Sequence, residues 1–143
     1  MSTQNYENHA QRVPAFLAIL ALLFLTFLGS LVNLYESWGD HQRLYSASLI
    51  VTLSIGALGA LMSGRIFALK AQDRAIRAEE NLRHYAMTGK LLDARLTTKQ
   101  IIGLRFASDA EYLDLCKKAA DQNMTMDDIK KAVKNWRADH SRV

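Results

Sequence analysis

The sequence predicts an all-α membrane protein: a two-helix transmembrane hairpin, its second helix extended into a cytoplasmic stalk, followed by a small bundle of about three short helices. Three observations carry this reading. Val13 to Tyr35 and Leu44 to Gly64 are apolar runs without a charged residue, lysine and arginine accumulate just after the second run, and three helix-capping signals follow in the charged remainder. A helix rises about 1.5 Å per residue, so roughly 20 apolar residues cross a hydrocarbon core about 30 Å thick, and both runs are long enough.

Taken in order, residues 1–12 form an N-terminal tail and residues 13–35 the first span. Pro14, the only proline, falls in the first helical turn, where its missing N–H costs no helical hydrogen bond. The run is longer than a signal-peptide core, Arg12 is the only cation before it, and no small-residue cleavage motif follows, so the span is read as retained. Residues 36–43 connect to the second span, residues 44–69. The connection carries Arg43 beside Glu36 and Asp40, whereas Arg65, Lys70, Arg74 and Arg77 crowd the far end of the second span. That asymmetry orients the hairpin with both termini in the cytoplasm. Tyr35, Trp38 and Tyr45 then ring the outer interface, where an apolar ring with a polar edge is at home.

Half of the 143 residues are hydrophobic, but the average conceals an apolar first half and a charged second half. From Lys70 onward there are 15 Lys and Arg against 11 Asp and Glu, so the whole formal excess of +4 lies there. Cys116 is the only cysteine. It has no disulfide partner or metal spacing and reads as a small buried hydrophobe. His9, His41, His84 and His140 lie outside the spans, which argues against an intramembrane haem or metal site. No nucleophile, base or metal constellation is apparent, so neither an enzymatic activity nor a cofactor nor a small-molecule substrate is expected.

Within the second span Ser48, Thr52, Gly56, Ala60 and Gly64 recur at every fourth position and form one smooth ridge, widened by Gly59 and Ser63. Small residues let helices approach closely in lipid. The ridge packs either on the first span, where Ala18, Thr26, Gly29, Ser30 and Asn33 could complement it, or on a second copy or another membrane protein. The span continues without a turn residue into a stalk, residues 70–87. Ala57, Leu61, Gly64, Ala68, Ala71, Ala75, Ala78, Leu82 and Tyr85 alternate spacings of four and three there, a heptad-like stripe. It serves either the tail's own helices or self-association. Asp73 with Arg77 and Glu79 with Arg83 stand four residues apart as exposed supports.

Thr88-Gly89-Lys90 reads as the helix stop, opening a cytoplasmic tail, residues 88–143. Thr97 with Gln100, Ser108 with Glu111 and Thr125 with Asp128 each open a short helix. In the last one Lys130, Lys131, Lys134 and Arg137 gather opposite Ile129, Val133 and Trp136. That basic face is a solvated surface, or a contact for the anionic lipid of the nearby leaflet. Nucleic acid is disfavoured, because few basic residues fall where a recognition helix begins.

Four segments, Glu7 to Ala10, Gly29 to Leu34, Ala71 to Arg83 and Ile129 to Asp139, together resemble an uncharacterised family of small bacterial membrane proteins, a domain of unknown function with two spans and a cytoplasmic helical tail. The resemblance implies a bacterial inner-membrane location and brings no activity or site residues with it. The expected function is a non-enzymatic membrane scaffold or accessory subunit whose partners are lipid and a second copy or another membrane protein. The alternative is a membrane-tethered regulator whose tail binds anionic lipid, protein or nucleic acid.

Overall fold

The computed structural model describes residues 5–8 and 13–139. Its described residues form five helices and no strand: α1 (Pro14–Glu36), α2 (His41–Thr88), α3 (Thr98–Leu104), α4 (Asp109–Asp121) and α5 (Met126–Ala132). They divide into two compact units. One holds α1 and α2 as far as Ala68; the other holds α2 from Leu69 onward, α3 to α5 and the segment at residues 5–8.

In the first unit, α1 and the N-terminal part of α2 are each long and apolar enough to cross a membrane. Pro14 occupies the first turn of α1, as its chemistry favours. Gly39 (φ +100°) turns the chain, and the Asp40 carboxylate accepts from the N–H groups of Gln42 and Arg43, opening α2 earlier than the charge pattern suggests. The least exposed positions of α1 are Phe16, Leu20, Leu23, Phe27, Ser30 and Leu34; those of α2 include Leu44, Ala47, Val51, Ser54, Leu58, Leu61 and Arg65. Both sets alternate spacings of three and four, the repeat of a coiled-coil seam. In antiparallel register Phe16 falls level with Arg65, Phe27 with Ser54 and Leu34 with Ala47. The Arg65 guanidinium lies 5.5 Å from the centre of the Phe16 ring, consistent with that register.

In the second unit α2 runs without interruption to Thr88, where Gly89 (φ +72°) closes it. The three capping positions open three helices. Thr97 and Gln100 form a reciprocal capping box. Thr125 accepts from the Asp128 N–H. Ser108 sits at the N-cap of α4 without accepting from a helix N–H; its hydroxyl donates to Glu111 Oε1 at 3.4 Å instead. Asn123 (φ +46°) takes the left-handed position after α4, and Met124 N–H returns to the Ala119 carbonyl.

The last helix is shorter than its periodicity suggests. It ends at Ala132, so Lys134, Trp136 and Arg137 are not helical. The strand-like return instead pairs Trp136 with Ala107: Arg137 N–H donates to the Phe106 carbonyl at 2.8 Å and Ser108 N–H to Asn135 at 3.1 Å. Trp136 then packs on Phe106, ring centres 4.8 Å apart. The core of this unit gathers Leu96, Ile101, Leu104, Phe106, Tyr112, Cys116 and Ile129.

The approach of α3 to α5 is closest at Gly103 among the glycines described. A Cβ there would meet the Met126 carbonyl oxygen at 3.1 Å and the Ile129 side chain at 3.2 Å, whereas Gly59 in the first unit has nothing within 4 Å. Gly103→Ala is therefore expected to lower stability by about 1–3 kcal/mol and Gly59→Ala not to lower it at all. Denaturant unfolding of the detergent-solubilised full chain checks both.

Candidate functional site

The side chains that join α2 to the tail are polar, and they centre on Arg83. Its position on α2 puts it level with the start of α4, where Ser108 opens the helix and Asp109 occupies the first turn. Arg83 Nε donates to Asp109 Oδ1 at 2.9 Å, Nη2 to the Ala107 carbonyl at 2.7 Å, and Nη1 to Glu80 Oε2 at 3.2 Å. The guanidinium lies 4.0 Å from the centre of the Tyr112 ring, and the Tyr112 hydroxyl donates to the Glu80 carbonyl at 3.1 Å. Glu80 is itself buried. A planar fork of five donors can satisfy two carboxylates and a carbonyl while stacking on an aromatic face, which a lysine cannot do.

The electrostatics follow from this packing. Burial works against the Arg83 charge, but the Asp109 hydrogen bond and the Glu80 charge outweigh it and hold the guanidinium above its usual range. The same contact holds Asp109 below the usual carboxylate range. Burial pushes the Tyr112 phenol up, and it pushes the Cys116 thiol up to about 12, leaving Cys116 an inert, buried thiol. For Glu111 burial also opposes the charge. Even so, the N–H groups of Asn135 and Lys134, at 2.9 and 3.1 Å, hold it low and tie the strand-like return to α4.

Beside this junction, in the same unit, a cavity of about 540 Å³ opens between α2 and the C-terminal return, with Gln72, Glu79, Glu80, Arg105, Arg137 and Asp139 among its lining residues. Arg105 is 7% exposed. Its Nη1 meets Asp139 at 3.0 Å, its guanidinium lies 4.8 Å from the centre of the Phe106 ring, and its Nε has no hydrogen-bond partner among the described residues. Burial depresses its pKa, against the field of Asp139 and Glu80. Among the described residues no group of three His, Cys, Asp or Glu is arranged to hold a metal ion.

The residues singled out from the sequence fall in three places. Of the ridge, Ser48 is half-buried, while Thr52, Gly56, Ala60 and Gly64 are exposed, and among the described residues nothing beyond the helix's own neighbouring backbone lies within 4 Å of where a Cβ would stand at Gly56 or Gly64. The ridge does not face α1; of its suggested complements only Ser30 is buried. Of the stalk stripe, Ala68 is half-buried and Ala71, Ala75, Ala78 and Leu82 are exposed, so the tail does not dock on it. The tail docks on Ile76, Glu80 and Arg83 because only there can the guanidinium reach Asp109. Arg83 accordingly pairs with Glu80 rather than Glu79. The basic cluster is divided: Lys130 is buried 5.7 Å from the centre of the Phe106 ring, Lys131 is paired with Asp127 at 2.7 Å, and Lys134 and Arg137 are exposed beyond the helix.

Two features lay outside the sequence reading. Buried Glu80 and Arg105 are charged residues with no apolar periodicity to betray them. The other is Tyr6, whose hydroxyl donates to Asp127 Oδ1 at 2.6 Å while Lys131 Nζ lies 5.5 Å from its ring centre. His9, Ala10, Arg12 and His140 lie outside the described residues.

Removing Arg83 leaves Glu80 buried without its counter-charge and the Ala107 carbonyl without its donor. Arg83→Met is expected to cost about 3 kcal/mol or more, measured by denaturant unfolding. Stability should also depend on acid. Because Glu111 and Asp109 are held low in the folded chain, their contribution is complete above their ordinary values of 4.5 and 3.8 and is lost as pH falls below them. The melting temperature should drop between about pH 5 and pH 3, and Glu111→Gln should flatten that drop.

Comparison with known proteins adds one match. No curated protein and no solved structure matches the chain. A family model described as a family of unknown function (DUF6526) matches residues 1–143. Two long apolar helices, a capped helical tail and a whole-length match therefore agree: the chain belongs to the DUF6526 family.

Proposed function

We propose that the chain is a non-enzymatic integral membrane scaffold or accessory subunit of the bacterial inner membrane, assembling through α2 and presenting its helical tail in the cytoplasm. The observation that carries this reading is the outward face of the first unit. Leu22, Leu25 and Leu53 are 65, 65 and 73% exposed, and the Gly56 ridge lies on a face that α1 does not cover. A contiguous apolar surface of this extent is unfavourable in water and favourable in lipid. A ridge of small residues within it offers a second helix the close van der Waals approach on which association in lipid depends.

The contact of Tyr6 with Asp127 on α5 supports the orientation with both ends on one side, since it joins the segment before the first span to the tail after the second. The cations that follow the second apolar run, Arg65, Lys70, Arg74 and Arg77, support the cytoplasmic side. Contact of the tail with anionic lipid is the weaker reading: with Lys130 buried and Lys131 paired, only Lys134 and Arg137 of that cluster are free to reach a leaflet.

The chain is expected in the membrane fraction after alkaline extraction. A cysteine replacing Trp38 should react with a membrane-impermeant maleimide in intact cells, and one replacing Lys134 only after permeabilisation. A soluble chain, or the reverse labelling, overturns the reading. For assembly, Gly56→Leu should lower the mass measured in mild detergent; a wild-type chain that is strictly monomeric with no co-purifying membrane protein excludes the scaffold.

A further inference from the structure

The stalk carries an unpartnered face whose flanking charges are complementary to themselves. Ala71, Ala75, Ala78, Leu82 and Tyr85 follow d, a, d, a, d spacing, and all five are exposed, Leu82 and Tyr85 by 68% and 53%. The tail lies mainly on the other side of the helix: it engages Ile76, Glu80 and Arg83 at b, f and b and His84 at c, reaches the flank at Asn81, a g position, and leaves the a and d side chains exposed. In this frame Arg74 stands at g and Glu79 at e, five residues on. Both are exposed and neither makes an ion pair or a side-chain hydrogen bond among the described residues; Glu79 also borders the cavity that holds Arg105 and adds to the field there. In a parallel two-stranded coiled coil the g position of one helix meets the e position of its partner five residues further along. Arg74 of one copy would then meet Glu79 of the other, twice by symmetry. An antiparallel pairing centred on Ala78 sets the two Glu79 side chains near one another instead.

We infer that the occupant of this face is a second copy of the chain, with its stalk parallel and in register. The inference rests on the membrane reading above, because copies inserted with one topology must run their α2 helices in the same direction. Large side chains at Leu82 and Tyr85 supply the apolar contact, and the three alanines let the helix axes stay close. So much alanine buries little area, so the pairing depends on the copies being held in one plane.

The test is oxidative cross-linking of the full chain in membranes, with Cys116 replaced by alanine. In-register parallel stalks bring like a and d residues together, within reach of a disulfide. Ala78→Cys and Tyr85→Cys should each give a disulfide-linked dimer and Arg77→Cys, on the flank, should not. In the Ala78→Cys background, Arg74→Glu or Glu79→Arg alone should cut the dimer about fivefold, and the double exchange should restore it. Dimer at Ala78 but not at Tyr85 overturns the parallel register. Equal dimer at Arg77, or no restoration by the double exchange, overturns the pairing. A cysteine at Gly56 that cross-links when those at Ala78 and Tyr85 do not leaves the membrane assembly standing and removes the stalk pairing. A chain that cross-links at Ala78 and Tyr85 but fractionates as soluble removes the membrane reading and leaves the stalk pairing.

Discussion

A guanidinium in the interior of a small helical unit must have its charge and its donors answered, and Arg83 has both answered by groups from two directions. Glu80 comes from its own helix; the Ala107 carbonyl and Asp109 come from the turn into α4. Tyr112 closes the arrangement by stacking beneath the fork and donating to the backbone at Glu80. A tail of about 50 residues buries too little apolar surface to be secure alone, and this junction adds to it a section of a helix that is already formed. That one cation ties the 107–109 turn and the start of α4 to α2, while Glu111 and the Phe106 carbonyl hold the return of Trp136.

The same reasoning explains which side of α2 is left free. A buried ion pair contributes geometry more than energy: its desolvation cost is repaid only in one arrangement, so it selects a face rather than strengthening whichever face is most apolar. The alanine stripe, which has no directional group, is left exposed. In the first unit the choice is made by packing instead. The less exposed positions of α1 and α2 are spaced three and four apart and fall level in antiparallel order, whereas the glycine ridge, at strict spacings of four, drifts around the helix away from them.

Much of the architecture is legible in the residues. Pro14 and Gly89 bound the two long helices for reasons of backbone chemistry, Thr97 and Thr125 open two of the short ones because a hydroxyl at an N-cap can answer an N–H that the helix leaves free, and Ser108 stands at the N-cap of the third without that hydrogen bond. The end of α5 is not legible. Ile129, Val133 and Trp136 have helical spacing, yet Glu111 captures the N–H groups of Lys134 and Asn135, and a carboxylate 23 residues away in the chain leaves no trace in a local pattern. The candidate site is harder still. Glu79 and Glu80 are equally plausible partners for Arg83 by spacing, and only the position of Asp109 separates them.

By itself the sequence determined the elements that depend on neighbours along the chain: two apolar helices of membrane-crossing length, their turn, the long continuation of α2 and the three caps. These rest on interactions spanning four residues or fewer, which order of residues alone specifies. The tertiary structure decided which faces those helices use. The ridge and the alanine stripe face outward, Lys130 lies inside, and Ile76, Glu80 and Arg83 receive the tail. A helix presents several faces at once, and the one that is buried is chosen by groups distant in sequence whose charges and hydrogen bonds must be satisfied together.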